Sequence, residues 1–208
     1  MAISLSNEQA AWDQDKGFVG IDEAGYGCAF GSMWVAMVRF PKNFKVPKEL
    51  LVVRDSKKFT SSKAGTAAAE RYLVATLIKQ YAEEFAVLEV TADQINSGNP
   101  YWLRYSVVEE ELKSWTPGIT MFDGNVAVKA ANHENKCMIK GDAYCFSIAA
   151  ASVLAKSAKD QEMQAAAKLY PWYDLANNQG YLTASHQAAL KQYGAVELHR
   201  TSYVKNHL

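Results

Sequence analysis

An α/β or α+β protein, with helices covering one sheet, is what this sequence predicts. Three observations carry that expectation. Two β-rich runs, Phe18 to Ile21 and Met33 to Phe40, flank a glycine-bearing turn and read as an antiparallel pair. Helical stripes then alternate with short apolar runs down the rest of the chain. The 208 residues are 49% hydrophobic and 21% charged, enough for one substantial core, so a single domain over residues 1–208 is expected.

Residues 1–16 are polar and poorly patterned and read as a lead-in, at most a short helix, with no assigned function. The first strand delivers Asp22 and Glu23 at its end, and Gly25 and Gly27 follow, each able to take positive φ or admit a close neighbour. Pro41 to Pro47 is a loop and Leu50 to Val53 a short strand, running into the polar cluster Arg54-Asp55-Ser56-Lys57-Lys58. That cluster reads either as a solvated turn or as a phosphate contact. Ser61 or Ser62 caps a helix with the stripe Ala69, Tyr72, Leu73, Leu77 and Tyr81, and Phe85 to Val90 is the next strand.

Pro100 opens a helix with Tyr105, Val108, Leu112 and Trp115 on its apolar side and Glu109 to Glu111 mostly on its wet one. Ile119 to Phe122 is a strand that leads into Asp123-Gly124-Asn125, and Cys137 to Lys140 is another that meets Gly141-Asp142. A long helical stretch rich in small residues runs from Ala143 to Leu169; Ala149, Ser152 and Ala155 let it lie close to its neighbours, while Lys156 and Lys159 read as solvating it. A loop through Gly180-Tyr181 precedes a capped helix from Thr183 to Tyr193, ended by Gly194.

Composition excludes several classes. Net formal charge is zero, so any surface for a polyanion is a local patch rather than a global field. Cys28, Cys137 and Cys145 are odd in number and lack Cys-x-x-Cys spacing, so they read as small core residues of a protein in a reducing compartment. No leader pattern and no run of ~18 apolar residues is visible. Gly25-x-Gly27 is not a dinucleotide loop, because the next glycine is Gly31 and a strand follows. Metalloprotease, Walker and nucleophile-elbow motifs are absent, and the four histidines are scattered.

The pattern with chemical content is positional. Asp22 with Glu23, Asp123, and Asp142 each lie at or just past a predicted strand end beside a glycine. Were those strands neighbours, four carboxylates would converge and repel one another. Divalent cations with oxygen preference, such as Mg²⁺, relieve that repulsion, and a pair of them suits phosphodiester cleavage.

These residues resemble the type 2 ribonucleases H, the ribonuclease HII family. The likeness spans Gly20 to about Tyr203 through Asp22-Glu23-Ala24-Gly25, Asp55-Ser56-Lys57-Lys58, Asp123-Gly124-Asn125, Lys140-Gly141-Asp142, Ser147 to Ser152, Ala155-Lys156, Gly180-Tyr181, Thr183 with His186, and His199-Arg200. The resemblance implies a ribonuclease H-like fold, a mixed central sheet flanked by helices, with a small helical C-terminal part from about residue 170. It further implies endonucleolytic cleavage of the RNA strand of RNA·DNA hybrids, leaving 3′-hydroxyl and 5′-phosphate ends. Asp22, Glu23, Asp123 and Asp142 match the family's four catalytic carboxylates, which would hold two Mg²⁺ or Mn²⁺ ions.

The family senses the ribose 2′-hydroxyl with a Gly-Arg-Gly loop, which here is Gly25-Tyr26-Gly27, while the tyrosine matching Tyr181 packs on the neighbouring deoxyribose. A core tyrosine is the lesser alternative for Tyr181, and Lys57 either contacts phosphate or is an ordinary surface lysine. Phe30 is reminiscent of the related ribonuclease HIII group, whereas Gly180-Tyr181 and His199-Arg200 favour HII. Expected partners are RNA·DNA hybrid or ribonucleotide-containing duplex DNA, for a cytoplasmic monomer without membrane contact. The alternatives are a catalytically silent hybrid-binding protein on the same scaffold and HIII-like specificity.

Overall fold

The computed structural model describes residues 3–53 and 64–208. Its centre is a five-stranded mixed sheet: β1 (Gly17–Ala24), β2 (Met33–Arg39), β3 (Glu84–Val90), β4 (Gly118–Asp123) and β5 (Glu134–Met138), in the order β3-β2-β1-β4-β5. β1 and β2 are antiparallel as expected, with Asp22 opposite Ala36, and β2 pairs antiparallel with β3. β4 joins the other side of β1 in parallel, with Ile21 opposite Phe122, and β5 continues in parallel. Asp123 is therefore the residue next to the register partner of Asp22's own neighbour.

Side-chain alternation along β1 builds the two layers. Val19 and Ile21, with Val35 and Met37 of β2, face α4 (Pro100–Glu111) and pack on Tyr105, Val108, Leu112 and Trp115, the stripe the sequence marks. The opposite face carries Gly20 and Asp22 and meets α5 (Phe146–Leu169). A Cβ on Gly20 would overlap the backbone of Ser147 and Ile148, so glycine here is what lets α5 lie directly on the central strand. Ala149, Ala150 and Ala155 then bury against Ala36, Val38 and Phe40.

α2 (Ala64–Tyr81) lies along α5, but not on the face expected of it. Tyr72 and Leu73 are more than half exposed, and the buried positions are Ala67, Ala68, Arg71, Val74, Ala75 and Ile78. Val74, Ala75 and Ile78 pack in one cluster with the residues of α5. The expected strand over Leu50 to Val53 is instead a 3₁₀ turn (Lys48–Leu50) and its exit: Leu50 and Val53 are buried while Leu51 and Val52 are exposed, a three-residue spacing no strand gives. β5 starts and stops earlier than predicted, since Lys140 adopts a left-handed conformation (φ 58°) that leads into the 3₁₀ turn Gly141–Ala143. Cys28 and Cys145 are core residues, but Cys137 on β5 is exposed.

Residues 6–12 form α1 (Ser6–Trp12), and it is anchored rather than frayed. Glu8 is fully buried and accepts hydrogen bonds from the Ser147 amide (2.7 Å) and the Cys145 thiol (3.3 Å), satisfying the start of α5. After β3 comes a short helix, α3 (Ala92–Ser97), opened by a Thr91/Gln94 capping box that the sequence reading passed over. The C-terminal part is helical: α6 (Leu175–Asn178), α7 (Ala184–Tyr193) capped by Thr183, and α8 (Thr201–Val204). It has its own apolar cluster, in which Phe30, Tyr173, Leu175, Leu190 and Val204 meet. Among the described residues no helix is long and apolar enough to cross a membrane.

Candidate active site

All four sequence-marked carboxylates line one cleft of about 460 Å³ at the C-terminal edge of β1 and β4. Asp22 and Glu23 project to opposite faces of the sheet, as the strand period demands. Asp22 is buried on the α5 side, where its Oδ1 accepts the Glu23 amide (2.8 Å) and the Ser152 hydroxyl bonds its side chain. Glu23 lies on the α4 side, its Oε1 paired with Arg104 at 2.6 Å and its Oε2 buried without a hydrogen-bond partner among the described residues. Asp123 closes β4 and accepts the Gly141 amide at 2.7 Å, which draws the Gly141–Ala143 turn, and with it the buried Asp142, to the strand end.

Electrostatics follow from burial and crowding. Burial pushes the Asp22 carboxyl well above the usual range, and the charges of Glu23 and Asp123 push it further, against the Ser152 hydrogen bond. Burial also raises Glu23, opposed by Arg104. Among the described residues no three of His, Cys, Asp and Glu are close enough together, as placed, to ligate one ion. The donor set nonetheless fits a hard divalent cation: four carboxylates on one cleft, mutual repulsion, and an orphaned buried oxygen on Glu23.

The opposite wall of the cleft is basic. Arg71 and Lys156 both pair with the buried Asp160, at 2.6 and 2.8 Å. Lys159 does not solvate α5: it is 1% exposed and donates to the carbonyls of Phe30 and Ser32 (2.9 Å each) and to Glu162. It thereby fastens the far end of the Gly25-Tyr26-Gly27 loop. Gly25 has φ +80°, a value glycine tolerates, but Gly27 does not, and what its lack of a side chain leaves open is the space beside Tyr181, whose Cε1 would lie 3.8 Å from an added Cβ. Arg200 and Tyr203 both donate to the Tyr26 carbonyl, at 2.8 and 3.2 Å.

Tyr181 is half exposed on the cleft wall, which excludes the core-tyrosine reading. Gly180, at φ +82°, accepts the Ala29 and Phe30 amides and so carries Tyr181 to the loop. Phe30 is wholly buried, edge-on to His199 with ring centroids 4.8 Å apart, so its place is in the C-terminal core rather than in the cleft. Lys57 lies outside the described residues. Arg71 and Ser152 line the cleft, and Arg104 pairs with Glu23 without lining it; none of the three was marked as a site residue by the sequence reading. Arg104 alone left a signal, an arginine within the aromatic run Tyr101-Trp102-Leu103-Arg104-Tyr105.

The sheet order and the carboxylate-bearing edge define a ribonuclease H-like protein. The chain superimposes on the ribonuclease H2 of Pyrococcus horikoshii OT3 with a TM-score of 0.73 at 22% identity, covering 92% of this chain and 96% of that one. It is also similar to Bst-RNase HIII in complex with Mn²⁺, with TM-score 0.65, 16% identity, and coverage of 92% and 69%. Residues 19–206 match the family model of ribonuclease HII, and the ribonuclease HII of Chlorobaculum parvum is 37% identical over 204 residues, 97% of this chain and 96% of that protein. The chain belongs to the ribonuclease HII family and is an endoribonuclease acting on RNA in RNA·DNA hybrids.

Proposed function

We propose that Asp22, Glu23, Asp123 and Asp142 are the catalytic set, that they hold two divalent ions, Mg²⁺ or Mn²⁺, and that cleavage leaves 3′-hydroxyl and 5′-phosphate ends. The observation that carries this reading is the meeting on one cleft of acids supplied by β1, β4 and the Gly141–Ala143 turn, at a cost in repulsion that a protein without cation chemistry has no reason to bear. When bound, such ions activate water and stabilise the departing oxygen. The chain's own residues prepare that chemistry. Ser152 and the Glu23 amide orient Asp22, the Gly141 amide orients Asp123, and Arg104 fixes one oxygen of Glu23 while leaving the other free of hydrogen bonds from the described residues.

Gly25, Tyr26 and Gly27 form the sugar-sensing loop in this reading, and Tyr181 packs on the adjoining sugar from across Gly27. Tyr26 lacks the fork of donors an arginine offers, so uniform hybrid is cut with no strong preference for a single ribonucleotide in duplex DNA. Lys57 contacts phosphate. Residues 1–208 act as one catalytic domain, α1 being tied to α5 and the C-terminal helices to the loop. The protein works as a cytoplasmic monomer, in keeping with three unpaired cysteines.

Asp123→Asn is expected to lower hybrid cleavage at least ~10²-fold with the fold intact, and chelator should abolish wild-type cleavage. Near-normal cleavage by the variant removes Asp123 from the set. A gel shift without products in Mg²⁺ and Mn²⁺ would mark a silent hybrid-binding protein instead.

A further inference from the structure

Arg104 stands at an unusual junction. It projects from α4 toward the sheet, and its side chain is 12% exposed. One guanidinium edge donates to Glu23 Oε1 at 2.6 Å, and a second nitrogen donates to the Tyr105 hydroxyl at 3.1 Å. Four aromatic rings surround it: the guanidinium carbon lies 4.8 Å from the ring centres of Tyr101 and Tyr105, 5.7 Å from that of Phe122, and 5.0 Å from that of Tyr26. Three of these rings belong to α4 and β4. The fourth belongs to the loop beside the cleft.

Among the described residues, the hydrogen bonds that hold Tyr26 are to its backbone. Its carbonyl is fixed by Arg200 and Tyr203, while its side chain is 37% exposed. The Arg104 guanidinium lies over the Tyr26 ring. A planar cation that pairs through its edge and stacks through its face can do both at once, and an ammonium cannot.

We propose that Arg104 is a specificity-determining positioning residue: anchored by Glu23, it serves as the platform that sets the Tyr26 ring at the sugar-sensing loop. The guanidinium this loop lacks in its own sequence is supplied from α4, not to touch the substrate but to hold the aromatic residue that does. The inference rests on the reading of Gly25-Tyr26-Gly27 as the substrate loop. It goes beyond that reading in assigning the loop's side-chain geometry to a helix remote in sequence.

The test is a double-mutant cycle on substrate preference, the ratio of kcat/KM for a duplex with one ribonucleotide to that for a uniform hybrid. Tyr26→Ala and Arg104→Lys should each lower the ratio by about two- to thirty-fold, the span a partly desolvated cation–aromatic contact supplies. The double variant should lower it no further than either single one. Tyr26→Phe, which keeps the ring, should leave the ratio at its wild-type value. Arg104→Lys retains the charge beside Glu23, so its Mn²⁺ affinity by calorimetry should stay within about threefold of wild type. Independent, multiplying effects in the double variant overturn the proposal, as does an unchanged ratio in either single variant or a Tyr26→Phe that behaves as Tyr26→Ala. Failure of the carboxylate reading shows separately, as cleavage by Asp123→Asn.

Discussion

Replacing Asp22 by asparagine removes a buried carboxyl whose ionisation is opposed by burial and by the charges of Glu23 and Asp123. Each unit by which folding raises a carboxyl costs about 1.4 kcal/mol at a pH above its folded value. Asparagine keeps an oxygen for the Glu23 amide, so most of the relief from that cost survives the exchange. In chelator at neutral pH the variant should be more stable than wild type by about 1–3 kcal/mol, a rise in Tm of about 2–10 °C for a chain of this size. The sign of the pH dependence follows from the raised carboxyl. Folded Asp22 holds its proton to higher pH than the unfolded chain does, so wild type loses stability as pH rises from about 4 toward the folded value, and the asparagine variant does not. The Tm difference should therefore vanish near pH 4 and grow above it. Saturating Mg²⁺ should reverse the order, by stabilising wild type more than the variant. Thermal melts across pH, with chelator and with Mg²⁺, measure all of this. A variant no more stable than wild type in chelator, or equal stabilisation of both by Mg²⁺, refutes the reasoning.

Glu8→Ala deprives the Ser147 amide and Cys145 thiol of their acceptor and should cost about 2 kcal/mol, read as a Tm fall of about 4–8 °C, with cleavage retained at temperatures where the variant is folded. His199, whose Nε2 lies 3.1 Å from that of His186, is held down to about 4 by burial and by its neighbour's charge. Its contribution to stability is therefore present above about pH 6.5 and is lost as pH falls from there toward 4, by about 3 kcal/mol. Denaturant unfolding of His199→Gln should show a flatter slope across that window than wild type does.

The sheet and its acids were legible because their signals are local. β-branched runs bounded by glycine marked β1, β2 and β4, and adjacency of Asp22 and Glu23 on a strand already placed them on opposite faces. What stayed hidden depends on approach distances that no single segment records. The face of α2 was misread because Tyr72 and Leu73 outweigh Ala67, Ala68 and Ala75 in any hydrophobic tally, yet the buried side is the one that carries those alanines with Val74 and Ile78. Lys159 looked like a solvating lysine until the carbonyls of Phe30 and Ser32, contributed by a distant loop, were placed at its ammonium. Glu8 in a polar lead-in gave no hint that it caps a helix far along the chain. Arg104 lay within a correctly placed helix, but its partners Glu23 and Tyr26 come from β1 and the loop after it.

Anomalous diffraction from crystals of the wild-type protein soaked in Mn²⁺ tests most directly whether the four acids grip metal together. Manganese peaks in the cleft, contacted by oxygens of Asp22, Glu23, Asp123 and Asp142, are the expected result. Manganese bound elsewhere, or reached by only one of these side chains, contradicts the proposed catalytic set.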